Sequence, residues 1–120
     1  MKQPGDNLKE RTKQFALDIV RMFRTLPRTD EARILGRQLL RAGTSVGANY
    51  RAACRARSRA EFIAKLGIVL EESDEAVFWL DLLVEAGIGN GERVQLLGKE
   101  ANELTSIFVT ALRTAKGIAS

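Results

Sequence analysis

The sequence predicts an all-α protein, an antiparallel up-down-up-down four-helix bundle, on three observations. Four long segments repeat apolar residues at helical spacing, a turn signal separates each from the next, and no alternating strand pattern competes. Prolines stand only at Pro4 and Pro27, so the long segments are free of breakers. The 120 residues suffice for a single domain, 1–120, with one hydrophobic core.

The first segment, about 8–25, returns Leu8, Phe15, Ile19, Met22, Phe23 and Leu26 to one face. Pro27 ends it, because proline disfavours a helical residue before it and has no amide proton to donate. Thr29 or Asp30 offers an N-cap for the second segment, about 31–56, with Glu31 favourable in its first turn. The core face of that segment reads Leu35, Leu39, Ala42, Val46, Tyr50 and Ala53. Ser58-Arg59-Ala60-Glu61 has capping-box spacing and opens a third helix, about 59–86. Phe62, Leu66, Val69, Ser73, Ala76, Leu80 and Leu83 form its main seam. Ile63, Leu70, Val77 and Val84 repeat every seven residues beside that seam, so this helix should touch two neighbours. Gly87-Ile88-Gly89-Asn90-Gly91 reads as a loop, with Gly87 suited to a left-handed helix end. The fourth segment, about 92–115, carries Val94, Leu97, Ala101, Leu104, Phe108, Ala111 and Ala115, and Gly117 closes it.

Composition narrows the chemistry. Hydrophobic residues at 45% and charged residues at 28% are ordinary globular proportions. The chain has no histidine, which removes the commonest general base and metal ligand together. Cys54 is the only cysteine, so no intrachain disulfide forms and a reduced setting is the simpler reading. The polar stretch 1–10 lacks the apolar run of a secretory signal, and no segment approaches the ~18 apolar residues of a membrane span. A soluble, cytoplasmic protein is expected. Glu71, Glu72, Asp74 and Glu75 cluster on the third helix, yet a bundle di-iron site needs Glu-x-x-His pairs that this chain cannot supply. They read as a solvated or arginine-paired face. No glycine-rich phosphate loop with a following lysine, cysteine pair, or serine beside a candidate base is present. The expectation is a protein that is not an enzyme, with no catalytic residue, metal or cofactor.

Net charge is +4, unevenly placed. Residues 1–60 hold fourteen Lys/Arg against five Asp/Glu, a net of +9, whereas residues 61–120 hold five against ten, a net of −5. On the second helix, at about 100° per residue, the core set spans about 180–260° from Arg33. Arg33, Arg37, Arg41, Arg51 and Arg55 fall within about 0–80°, nearly opposite the core. Such a stripe reads as a solvated face, a partner for carboxylates of a neighbouring subunit, or a set of phosphate contacts. Arginine without interspersed lysine or glutamate suits the last two. Arg57 and Arg59 follow at the next turn.

A third set on the same helix, Gly36, Gly43, Gly47 and Cys54, lies at about 280–320°. Each mid-helix glycine costs about 1 kcal/mol relative to alanine, so close approach of another helix should offset it. The alternative is a kink at 43–47, but hydrophobic phase is kept from Leu39 to Ala53. Cys54 should pack as a small residue beside this strip, which could serve as a subunit contact. Trp79, with Phe78, reads equally as an interface anchor or as core.

The run Gln38 to Tyr50 resembles the four-helix-bundle proteins encoded by intervening sequences in bacterial 23S ribosomal RNA genes. The hallmark Arg-Ala-x-x-Ser-hydrophobic-x-Ala-Asn is met by Arg41, Ala42, Ser45, Val46, Ala48 and Asn49. The start of the third helix from Ser58 to Phe62 also fits, and the likeness extends from about Leu8 to Lys116. Two departures stand out: Gly47 where proline is common, and Arg51-Ala52-Ala53 where Ala-Glu-Gly is commoner. The resemblance implies a homopentameric barrel and supplies no enzymatic activity. It also implies kinship with accessory proteins of diversity-generating retroelements, which are basic, bind nucleic acid and partner a reverse transcriptase. The leading expectation is a homo-oligomer that binds RNA or DNA phosphates through Arg33, Arg37, Arg41, Arg51, Arg55, Arg57 and Arg59. The rival is a scaffold whose arginines pair with acidic residues of neighbouring subunits.

Overall fold

Apolar residues at 3.6-residue spacing, bounded by caps, fold into four helices in the computed structural model, which describes residues 6–118. These are α1 (Asp6–Phe23), α2 (Asp30–Cys54), α3 (Arg59–Ala86) and α4 (Gly91–Ala115). Pro4 and the rest of residues 1–5 of the polar N-terminal stretch lie outside the described residues, as do the last two of the 1–120 domain.

Local chemistry sets the boundaries. The Thr29, Ser58 and Asn90 side chains accept from Ala32 N, Glu61 N and Arg93 N, capping α2, α3 and α4. Gly87 adopts φ 68°, the left-handed conformation that ends α3. α1 stops at Phe23, short of the expected 25. The Thr25 hydroxyl and amide both bond Met22 O, tightening the last turn ahead of Pro27.

Successive helices pack side by side: α1 on α2, α2 on α3, and α3 on α4. α1 touches α4 more sparingly, and the backbones of neither diagonal pair approach each other closely among the described residues. Rising numbers on one helix meet falling numbers on the next. Gly36 faces Phe23 and Leu26, Gly43 faces Ile19, and Gly47 faces Thr12. The result is an up-down-up-down bundle measuring 44 × 28 × 22 Å.

The expected seams form the core. Phe15, Ile19, Leu39, Val46, Leu66, Val69, Leu80, Leu104 and Phe108 are among its buried members. Burying each such side chain contributes about 1.5–3 kcal/mol. The Tyr50 and Phe108 rings meet at a 36° tilt with centroids 5.8 Å apart, tying α2 to α4 through the middle. Leu8, Phe23, Leu26, Leu35, Phe62, Ala111 and Ala115 are only half-buried. Buried polar side chains are satisfied: the Thr12 hydroxyl donates to Leu8 O at 2.7 Å, and Ser73 meets Thr105 at 2.6 Å.

Arg11 bridges the sparse α1–α4 seam. Its Nε and Nη2 donate to the Glu100 carboxylate at 2.8 and 2.7 Å, and Glu103 lies 3.0 Å away. The hydrogen bonds it donates to Glu100 and then Glu103 hold the guanidinium pKa above its ordinary value. A raised pKa contributes stability that is present below the unfolded value. This contact is therefore intact through neutral pH on the arginine side, and is lost only as pH rises through the raised value.

Candidate nucleic-acid interface

α2 is one unbroken rod, and none of its glycines adopts a positive φ. Its arginine stripe is on the outside: Arg33, Arg37, Arg41, Arg51 and Arg55 are all exposed, as are Arg57 and Arg59. The structure divides these seven residues by what stands beside them.

Two of the seven candidate phosphate contacts, Arg41 and Arg59, also bond within the chain. Arg41 reaches across to α3, where Nη1 donates to Glu72 at 2.9 Å and Nη2 bonds Glu75. Glu75 also accepts from the Trp79 indole at 3.2 Å. Arg59 Nε donates to Ala115 O at 2.8 Å, capping the carbonyl end of α4 with a positive charge. Both contacts have the same cause: an acceptor on the neighbouring helix sits within the reach of a long side chain.

The remaining five gather into two clusters at opposite ends of α2. Eighteen residues make five turns, so Arg33 and Arg51 point the same way, about 27 Å apart along the axis. At the α1–α2 turn, Arg33 and Arg37 join Arg24 and Arg28 around a groove of about 520 Å³ that contains no carboxylate. At the other end, Arg51 and Arg55 stand on a ridge between two grooves. The α1 side, about 440 Å³, is rimmed by Lys9, Glu10 and Lys13 and floored by Ala16, Thr44, Gly47 and Ala48. The α3 side, about 430 Å³, adds Ala52, Arg57, Glu61 and Lys65. Lys13, Arg51, Arg55 and Lys65 form no ion pair among the described residues.

Sequence reasoning missed the lysines and the Arg24–Arg28 pair. Lys9 and Lys13 are one helical turn apart, on the flank of α1 that carries Ala16. Sliding α1 against the glycine strip of α2 in antiparallel register would have brought them beside Arg51 and Arg55.

The glycine strip has a different occupant from the subunit contact expected of it. A Cβ on Gly36 would lie 2.6 Å from Leu26 Cδ1, one on Gly43 2.9 Å from Ile19 Cγ1, and one on Gly47 3.2 Å from Thr12 O. The strip is the bed on which α1 of the same chain lies. Cys54 does not pack beside it: as the last residue of α2, it is exposed. Trp79 is half-buried, edge-on to the exposed Phe78 at 5.0 Å.

The acidic residues occupy other faces. Glu71, Asp74, Asp81 and Glu85 are exposed on the outside of α3, and Glu72 and Glu75 face Arg41. Among the described residues no group of three or more Cys, Asp or Glu side chains is arranged to hold a metal ion. No helix among them is long and apolar enough to cross a membrane.

The sequence profile of the 23S rRNA-intervening sequence proteins matches residues 7–110, nearly the whole bundle. The chain belongs to the 23S rRNA-intervening sequence protein family. A solved structure of a protein of unknown function from the S23 ribosomal protein family of Bacteroides thetaiotaomicron VPI-5482 is similar throughout. It is 33% identical, with a TM-score of 0.80 over 88% of this chain and 97% of that one. No curated protein matches.

The residues that carry the family likeness on α2 have visible structural work in this intervening-sequence protein. Ala42 and Val46 are buried, Arg41 straps α2 to α3, and Asn49 Nδ2 donates back to Ser45 O at 2.9 Å. The departures at Gly47 and Arg51 lie at the α1-side groove instead.

Proposed function

We propose that this intervening-sequence family protein is a non-enzymatic, self-associating bundle that binds nucleic-acid phosphates on its basic face. The observation that carries the reading is the set of guanidinium and ammonium groups left without carboxylate partners at both ends of the α2 stripe. Unpaired like charges repel one another on a folded surface, and guanidinium forks match phosphate oxygens. The exposed α3 carboxylates lie on another face, so a polyanion approaches without crossing them. Binding of this kind is weakly sequence-selective and steeply salt-dependent. Filter-binding titrations of RNA and DNA at about 50 and 200 mM salt test it. The expected result is tight binding at the lower salt that collapses at the higher; no detectable binding at the lower salt removes the reading. The setting that goes with it is the cytoplasm. Its protein partner, implied by the resemblance to retroelement accessory proteins, is a reverse transcriptase.

The Arg41 pairing with α3 carboxylates favours a second reading. The same pairing between copies would set the basic face of one protomer against Glu71, Asp74, Asp81 and Glu85 of the next. Those are different patches, so the contact is heterologous and closes into a ring, a pentamer included, when the rotation permits. Exposed Ile34 and Phe78, with half-buried Trp79, offer apolar surface for such a contact. Here Arg51→Glu dissociates the oligomer in sedimentation velocity, and nucleic acid changes nothing.

A further inference from the structure

We propose that the polyanion is single-stranded RNA, and that it crosses α2 through the two grooves flanking Ala48, Arg51 and Arg55. This rests on the phosphate-binding reading above and adds the occupant and its path.

Ala48, Arg51 and Arg55 line both grooves, so the ridge between them is reachable from either side. Lys13 of α1 lies beyond it on one side, and Arg57 and Lys65 on the other. Cations from three consecutive helices therefore mark a track transverse to α2. Neighbouring helix axes are 8–10 Å apart, so the track spans about 20 Å, the reach of a few nucleotides. A duplex is stiff over about 150 base pairs and cannot fold across a ridge of that width. A single strand can. The floor suits it: Thr44, Gly47 and Ala48 carry short side chains, letting a sugar-phosphate chain settle between the basic rims.

Ribose is favoured by the acceptors in the grooves. Each groove includes one carboxylate, Glu10 on the α1 side and Glu61 on the α3 side. A carboxylate among cations repels phosphate, but it accepts a hydrogen bond from a 2′-hydroxyl, which DNA lacks. The Thr44 hydroxyl, which lines the α1-side groove, donates to Leu40 O and so retains acceptor capacity. The Arg24–Arg37 groove at the far end has no carboxylate and makes no such distinction.

The test uses the full chain and a labelled uridine-rich RNA of about 12 nucleotides, within the span of known single-strand sites. Competitors are the same sequence as DNA and as an RNA duplex. Ala48→Leu adds bulk where the two grooves meet, without altering charge and with little change in helix propensity. Ala48 is exposed, so the variant should melt as the parent does. The expected result is about tenfold weaker RNA binding by Ala48→Leu, with DNA and duplex competing about tenfold less well than the RNA strand. Parent-like binding by Ala48→Leu, or equal competition by duplex or DNA, overturns the proposal and leaves the phosphate reading standing. Failure of every oligonucleotide to bind at low salt overturns that reading instead.

Discussion

The middle of α2 and its C-terminal end carry the same guanidinium stripe to different ends. At Arg41 the neighbouring helix offers Glu72 and Glu75, and the charge is neutralised within the chain. Ten residues on, around Arg51 and Arg55, the neighbours are Lys13 on α1, with Glu61 and Lys65 on α3. There the positive charge accumulates and stays open to solvent. The two stretches differ little in sequence. What separates them is which turn of α3 lies opposite, so the fate of a surface arginine is decided by helix register rather than by its own helix.

That contrast can be broken or sharpened by substitution. The largest effect is expected from Arg51→Glu with Arg55→Glu. Nucleic-acid affinity at low salt should fall by about 100-fold, while urea denaturation of these exposed positions shifts little. A comparable loss from Arg41→Glu would erase the distinction.

The flank of α2 that holds α1 comes next. Gly43→Ala places a Cβ against the β-branched Ile19, which cannot swing away. It should lower stability by about 1–2 kcal/mol in urea melts despite alanine's better helix propensity. Gly36→Ala meets only the flexible tip of Leu26 and the Phe23 ring edge, and should cost less.

Releasing Arg41 is a smaller change. Glu72→Gln with Glu75→Gln should add a third open cation to the ridge and raise RNA affinity about threefold, with a stability loss of at most about 1 kcal/mol. Unchanged affinity in a titration would mean that Arg41 is out of reach of the bound strand. The smallest effect is a gain. Nothing lies within 4 Å of a Cβ on Gly98 in α4, so Gly98→Ala should stabilise by about 0.5 kcal/mol, readable as a higher midpoint of thermal unfolding.

The fold was legible because its signals are local. Thr29, Ser58 and Gly87 act within a turn of their own positions, and the seams from Phe15 to Phe108 repeat at helical spacing wherever the chain goes. The site was legible only in outline. Angular position placed five arginines on one stripe, but it carries no information about the opposite helix, so Arg41 and Arg51 looked equivalent. Gly36, Gly43 and Gly47 announced a close approach without naming the approaching helix, which is α1. Cys54 shares their angle and not their burial, because it ends α2 seven residues beyond the Gly47–Thr12 contact.

The dependence of RNA affinity on salt, measured for three proteins side by side, tests the division of the stripe most directly. Each phosphate contact on a single strand adds about 0.7 to the slope of log K against log salt. Replacing Arg51 and Arg55 together by glutamine should make the slope shallower by about 1.4, whereas Arg41→Gln should leave it as in the parent. A slope that falls as much on losing Arg41, or that ignores the loss of Arg51 and Arg55, would contradict the account.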